Sequence, residues 1–218
     1  MAQALDQIES ARPYAAWLQA RLDYFDVAEK FRIVIGEQRP TPERPRPMPT
    51  PRQQRRIWRE HVKQKPVSIG AQHYVNRLKP VFSAQGIPPE LIWIAEVESS
   101  FNPNARSPVG ALGLFQFMPA TAEEYGLKLT PFDERRDPDK SAAAAARYLR
   151  NLHRRFESWP LALAAYNAGQ GRVARALRDT GGRTFDDIAA NLPTETQMYV
   201  PKIEASILRH EGRVLRTL

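Results

Sequence analysis

Cysteine is absent from the chain and histidine is scarce, which excludes several kinds of site. Without cysteine, the 218 residues contain no disulfide, no thiolate zinc site and no cysteine for lipid attachment. The histidines are scattered, and none lies four residues from another or beside a cluster of acids. We therefore predict no metal site.

Long apolar runs are also absent. A membrane span needs about 18 or more predominantly apolar residues, and no window approaches that length. The N-terminal residues carry charges throughout, unlike the apolar core of a secretory signal. The sequence predicts a soluble chain that is peripheral to a membrane at most, and it leaves open whether a native leader preceded Met1.

Positive charge is abundant, with a formal net charge of +8 and a pI near 10.0. Such a balance favours an anionic partner, which could be nucleic acid, a phospholipid surface or a carboxylate-rich wall polymer. Basic runs at 52–59 and 147–155 suggest nucleic acid as the partner. The second run also contains Tyr148, Leu149 and Leu152, so its arginines are best explained as a solvated helix face, and we expect no nucleic-acid partner.

Proline is concentrated between Pro40 and Pro51, where every second or third residue is proline. This density favours extended backbone and predicts a linker over 39–52; a ligand for a proline-binding module is the alternative. The linker separates an N-terminal helical arm, 1–38, from a main domain, 53–218. Within the arm, helical spacing of apolar residues predicts a helix over 13–29, and β-branched residues predict a short strand over 31–35.

Helical patterns continue almost to the end of the main domain, which predicts a mainly α fold. Asp137 before Pro138 is typical of an N-cap and first-turn pair. Thr194 and Gln197 are spaced as a capping box, so the last helix should begin near residue 195. The predicted helices of this domain span 52–63, 70–85, 89–101, 119–125, 139–156, 160–168, 170–178 and 195–211.

One acidic residue interrupts an apolar helix face. Within the helix predicted over 89–101, Glu98 falls on the face of Leu91, Ile94, Ala95 and Phe101. A carboxyl buried there would keep a proton available for a leaving-group oxygen. Periodicity alone favours a surface glutamate, because Glu96 also has apolar neighbours.

Ordered motifs around Glu98 carry more information. Residues 98–122 read ESSFNPNARSPVGALGLFQFMPATA, 165–169 read AYNAG and 195–200 read ETQMYV. Together they resemble the catalytic signature of lytic transglycosylases of the Slt type. The segment 133–138 and the Leu-Pro pair at 192–193 are most similar to the MltD-like branch of that family.

The resemblance implies a lysozyme-like (goose-type/Slt) helical catalytic domain. It also implies a peptidoglycan lytic transglycosylase, which cleaves the β-1,4 bond between N-acetylmuramic acid and N-acetylglucosamine and leaves 1,6-anhydromuramic ends. This reaction needs no cofactor. We expect a monomer in the periplasm or cell envelope, with glycan strands as its partner; the arm could cover the groove, bind an envelope protein or shield apolar surface.

The resemblance assigns Glu98, which precedes Ser99 in the matched pair, as the catalytic acid and base. Tyr166 would orient it. Each remaining assignment has a structural alternative: Gln116 could simply close its loop, Ser107 form a turn, and Glu195 suit the helix dipole. The residues expected to bind substrate are Ser107, Gln116, Met118, Tyr166, Asn167, Glu195 and Tyr199.

Two other functions remain open at this point. A muramidase of the goose-lysozyme kind would use the same scaffold and glutamate but hydrolyse the bond. A non-catalytic peptidoglycan-binding or assembly protein would keep the groove and release no product.

Overall fold

The computed structural model describes residues 8–36, 48–66, 70–215 and 218, so most of the predicted linker lies outside the described residues. Within them, regular structure is helical apart from two isolated β-bridges, which confirms the predicted mainly α fold. No described helix is long and apolar enough to cross a bilayer. The α-helices are α1 (Arg12–Ile35), α2 (Pro51–Lys63), α3 (Ala71–Ala84), α4 (Ile94–Ser99), α5 (Pro119–Glu124), α6 (Pro138–Phe156), α7 (Trp159–Ala168), α8 (Gln170–Thr180), α9 (Phe185–Ile188) and α10 (Thr194–Glu211), and short 3-10 helices span Glu9–Ala11, Pro89–Trp93, Glu134–Arg136 and Ala189–Asn191.

The chain packs as two compact units, each built from two stretches of sequence. Unit 1 comprises the described residues of Met1–Leu22 and Pro66–Arg154, and unit 2 those of Asp23–Lys65 and Arg155–Leu218. The division by sequence into arm, linker and catalytic domain stays a prediction.

Unit 1 is built on α3, the Pro89–Trp93 3-10 helix and the alanine-rich α6. Leu78, Phe82 and Leu91 are fully buried, and the Phe82 ring lies 5.9 Å from that of Phe115. The predicted cap of α6 is confirmed, since Asp137 Oδ1 accepts the backbone N–H groups of residues 139 and 140, each at 3.0 Å. These elements form a fixed base for the short helix α4.

Unit 2 is centred on the packing of α2 against α10. Trp58 is completely buried there, in one cluster with Val27, Phe31 and Met198. Val27 and Phe31 are four residues apart, which places them on the same helix face. The strand predicted over 31–35 is therefore wrong: burial of Phe31 continues α1 to Ile35, and this packing outweighs the β preference of the branched residues.

Two further local predictions needed correction. The capping box at Thr194 is wrong, because Pro193 is the N-cap residue and Thr194 is already helical, while the Gln197 side chain donates to Leu192 O at 2.9 Å. The helix predicted over 89–101 begins as a 3-10 helix and ends at Ser99.

A buried ionic cluster joins the part of α1 that begins at Asp23 to the rest of unit 2. Asp23 in α1 faces the imidazole of His61, at 3.4 Å, and the ammonium groups of Lys65 and Lys202. Burial raises the pKa of Asp23. The hydrogen bond with His61 and the charges of Lys202 and Lys65 outweigh burial and hold this pKa well below its usual range.

We expect Asp23→Asn to lower the free energy of unfolding by about 3 kcal/mol at neutral pH, because it removes a buried carboxylate that compensates the buried ammonium of Lys202. Stabilisation by a carboxylate with a lowered pKa is present above its unfolded-state value of about 3.9 and is lost as the pH falls below it. Urea titrations should therefore show the two proteins converging below about pH 4. Exposed Asp26 provides the control, and a loss as large in Asp26→Asn would contradict the account.

Candidate active site

Glu98 is held in a buried position by its helix and by the loop that follows. Its side chain lies on α4, with 4% of the residue exposed, on the face that the sequence predicted to be buried. The Ser99 hydroxyl donates to Ala95 O at 3.1 Å and Leu114 O at 2.9 Å, which ties the helix to the loop. Glu96 is only partly buried. Glu98 and Glu96 therefore differ in burial, although helical spacing alone gives both of them apolar neighbours.

One partner of Glu98 within unit 1 comes from α1, and no sequence pattern predicts it. Arg21 Nη2 lies 3.1 Å from Glu98 Oε2, and Nη1 donates to the Glu98 backbone carbonyl at 2.5 Å. Trp17 supports the guanidinium, whose carbon lies 5.3 Å from the centroid of the indole. A contact across 77 positions of sequence leaves no local pattern, so only the folded chain reveals it.

The loop after α4 is closed by two of the predicted site residues. Ser107 Oγ accepts the N–H of Ala111 at 2.8 Å, which fixes the turn between them. The Gln116 side-chain nitrogen donates to Ala105 O and Gly113 O, each at 2.9 Å. The amide oxygen of Gln116 is buried and has no hydrogen-bond partner among the described residues. Gln116 thus closes the loop and still offers one acceptor to a ligand.

Arg135 and Gly113 fix the same loop, although neither is among the predicted site residues. Arg135 Nη1 donates to Gly110 O at 2.8 Å and Phe117 O at 2.9 Å, while Asp133 holds the other side of the guanidinium. Hydrogen bonds from Arg135 lower the pKa of Asp133. A Cβ on Gly113 would lie 1.9 Å from Arg135 O, so only glycine fits. Both residues lie inside the motifs that carry the resemblance, Gly113 in 98–122 and Arg135 in 133–138, and this was the signal that could have found them.

Met118 completes the part of the predicted site in unit 1. It is the N-cap residue of α5, and 43% of the residue is exposed. An exposed thioether beside the Gln116 loop offers apolar contact area to a ligand.

The other predicted site residues belong to unit 2. Asn167, near the end of α7, accepts the Thr196 hydroxyl at 2.6 Å and approaches Glu195 at 3.5 Å, which links α7 to the first turn of α10. Tyr166 is half-buried and Glu195 exposed, whereas Tyr199 is 1% exposed and packs in the core. Asn167 therefore connects the last two motifs, and the ring of Tyr199 offers no face to a ligand.

Unit 2 also contains a basic groove of about 870 Å³ that holds none of the predicted site residues. Arg55 in its wall is bound by Asp186 and Glu204. The described residues include one group with the spacing of metal ligands, Asp23, Asp26 and His61, and there two lysine ammonium groups already bind Asp23.

Comparison with known proteins identifies the part of the chain that carries these motifs. Residues 83–189 match the family model described as "Transglycosylase SLT domain". The chain contains a transglycosylase SLT domain. The matched range includes Glu98 and the loop closed by Gln116, and it extends to Tyr166 and Asn167, whereas Glu195 and Tyr199 lie beyond it.

Relatives of the SLT domain include membrane-bound and soluble enzymes. The chain is 37% identical over 153 residues to membrane-bound lytic murein transglycosylase D of Escherichia coli K12, which covers 67% of this chain and 34% of the relative. A structure of an inactive mutant of the lytic transglycosylase Slt from Pseudomonas aeruginosa matches with a TM-score of 0.57 and 29% identity, over 72% of this chain and 27% of that one.

The 70 kDa soluble lytic transglycosylase of Escherichia coli matches with a TM-score of 0.57 and 25% identity, over 98% of this chain and 37% of that one. These matches confirm the resemblance to the Slt type near MltD and the lysozyme-like fold. The chain spans about one third of the length of the relatives named here.

Proposed function

We propose that the chain is a peptidoglycan lytic transglycosylase whose single acid and base is Glu98. The observation that carries the proposal is the burial of this one carboxyl at the end of α4, beside a loop held in shape by Gln116 and Arg135, within an SLT domain. A carboxyl placed beside a glycosidic oxygen can act as the general acid and base of its cleavage.

The proposed reaction uses Glu98 twice. Its carboxyl donates a proton to the oxygen that joins N-acetylmuramic acid to N-acetylglucosamine, and the bond from C1 to that oxygen breaks. The carboxylate then takes the proton of the muramic 6-hydroxyl, and O6 bonds to C1. Most glycosidases pair two carboxyl groups. Here, by resemblance to the family, assistance from the substrate's own acetamido group replaces the second, and no water or cofactor takes part.

Substrate binding draws on the polar groups that the loop leaves available. The unpartnered Oε1 of Gln116 suits an N–H of a sugar acetamido group, because a buried acceptor without a donor is unfavourable until a ligand fills it. Met118 offers an exposed apolar contact, and Asn167 with Glu195 offers polar groups in unit 2. Ser107 acts through the turn that its hydroxyl closes.

We further propose that the chain works in the periplasm or cell envelope as a monomer. The peptidoglycan proposed as its substrate carries carboxylates, which a net charge of +8 would attract. The relatives bear names of both membrane-bound and soluble murein transglycosylases. A role for residues 1–38 in binding an envelope protein remains part of this proposal.

Incubation with purified sacculi tests the proposal against its alternatives. We expect solubilisation of the glycan that persists as the salt concentration rises, since catalysis does not depend on a large release of counterions. A non-catalytic binding protein would sediment with the sacculi and release nothing. A goose-type muramidase would release fragments that end in reducing sugars instead of anhydro ends.

A further inference from the structure

The first turns of α1 lie against the part of unit 1 that carries Glu98. At one end, the backbone N–H of Arg106 donates to Pro13 O at 3.0 Å, and its guanidinium carbon lies 5.9 Å from the centroid of the Tyr14 ring. At the other end, Arg21 binds Glu98. The contacting positions of α1 recur every three or four residues, so one face of the helix makes them.

The contact with Glu98 is specific in its geometry. Two nitrogens of Arg21 contact Glu98, one at the backbone carbonyl and one at the carboxylate, and the guanidinium lies over the Trp17 ring. The side chains of Arg21 and Glu98 are 16% and 6% exposed, so water and salt screen the pair less than a surface ion pair.

This geometry conflicts with the proposed role of the carboxyl. A guanidinium has five N–H donors and no acceptor, so the Oε2 atom that faces Arg21 acts as an acceptor. A glycosidic oxygen needs to receive a hydrogen from the same carboxyl and needs the space beside it. A bound sugar linkage and a docked Arg21 therefore exclude each other at Oε2.

We propose that the surface around Glu98 and Arg106 is a docking surface for the first turns of α1, and that the docked helix competes with the glycan for Glu98. This inference rests on the proposed catalytic role of Glu98. When a segment of the chain occupies the site, the apparent affinity for substrate equals the intrinsic affinity multiplied by the fraction of molecules in which the segment is undocked. Substrate and any factor that withdraws α1 would then favour the same open state.

Kinetics on soluble, uncross-linked glycan strands measure the competition. Arg21→Ala should raise kcat/KM about tenfold, mostly through KM, for a docked state favoured about tenfold over the open one. Tyr14→Ala weakens the other end of the docked segment, leaves Arg21 in place and should change kcat/KM in the same direction.

The matched control is Arg32→Ala on the same helix, where the arginine is exposed and pairs with Glu29; it should leave kcat/KM unchanged. A fall in kcat/KM for Arg21→Ala would mean that the arginine serves the substrate, and an unchanged value would mean that it is structural. Either result overturns the inference. Deleting the arm is a poorer test, since Val27 and Phe31 belong to the core of unit 2.

A cross-link measures docking without relying on activity. The chain has no cysteine, so Tyr14→Cys with Arg106→Cys creates a unique pair for a short bismaleimide. The cross-linked protein should lose glycan cleavage, and adding Arg21→Ala should slow cross-linking. If the cross-linked protein cleaves glycan at an unchanged rate, the competition is refuted. If Arg21→Ala leaves the rate of cross-linking unchanged, docking through this residue is refuted. If Arg21→Ala slows cross-linking while even the wild-type chain cleaves nothing, docking stands and the proposed function fails.

Discussion

Glu98→Gln should reduce the rate of glycan cleavage by about 10² to 10⁴, the usual contribution of a positioned general acid. That range corresponds to about 3 to 5 kcal/mol of transition-state stabilisation. Glutamine keeps the size of the side chain and can still accept from Arg21, but its amide cannot deliver a proton to the leaving oxygen. The measurement is the initial rate of fragment release from purified sacculi.

Glu96 offers a matched control for this variant. It lies two residues earlier on the same short helix and is half-buried, so Glu96→Gln makes the same replacement within the same element. We expect Glu96→Gln to keep the wild-type rate within about threefold, which corresponds to less than about 0.7 kcal/mol in the activation free energy. A Glu98→Gln protein with native circular dichroism and an undiminished rate would remove Glu98 from the mechanism.

Gly113→Ala should disable the site by distorting its loop. The added methyl group would lie 1.9 Å from the carbonyl oxygen of Arg135, and the backbone at Gly113 has a positive φ of 88°. The steric overlap and the unfavourable backbone conformation both destabilise the folded state, and we expect a loss of about 3 kcal/mol or more in the free energy of unfolding. Displacement of Gln116, which donates to Gly113 O, should lower activity by about 100-fold.

Gly171→Ala provides the comparison. This glycine lies within α8, and a Cβ there would meet nothing within 4 Å. Alanine should stabilise the helix by about 0.5 to 1 kcal/mol and leave cleavage unchanged. Urea denaturation and the rate of glycan cleavage are measured for both glycine variants. Equal stability and equal cleavage rates in the two variants would contradict the account.

Helix positions in the main domain could be predicted because their causes are local. Pro51 and Pro138 begin helices, Asp137 caps one, and apolar spacing marks the buried faces. Failures came where packing outweighed a local preference. Residues 33–35 are β-branched but helical, because the burial of Phe31 against Trp58 continues the helix. Thr194 cannot act as a cap, because the helix already includes it.

The candidate site was predictable to the extent that motifs carry it. Glu98 could be chosen over Glu96 only from the downstream residues, since periodicity treats both alike. The hydrogen bonds that hold the site in shape were not predictable from the sequence. Arg135 contacts Gly110 across 25 positions, and Arg21 contacts Glu98 across 77. Such contacts depend on the path of the whole chain, and no short pattern encodes them.

Cleavage of purified sacculi in water enriched in oxygen-18, followed by mass spectrometry of the new ends, tests the central claim most directly. If Glu98 directs the muramic 6-hydroxyl to C1, each new end is lighter than a reducing end by one water molecule and contains no label from the solvent. Reducing ends that contain one solvent oxygen would show that water, and not the sugar's own hydroxyl, completes the reaction.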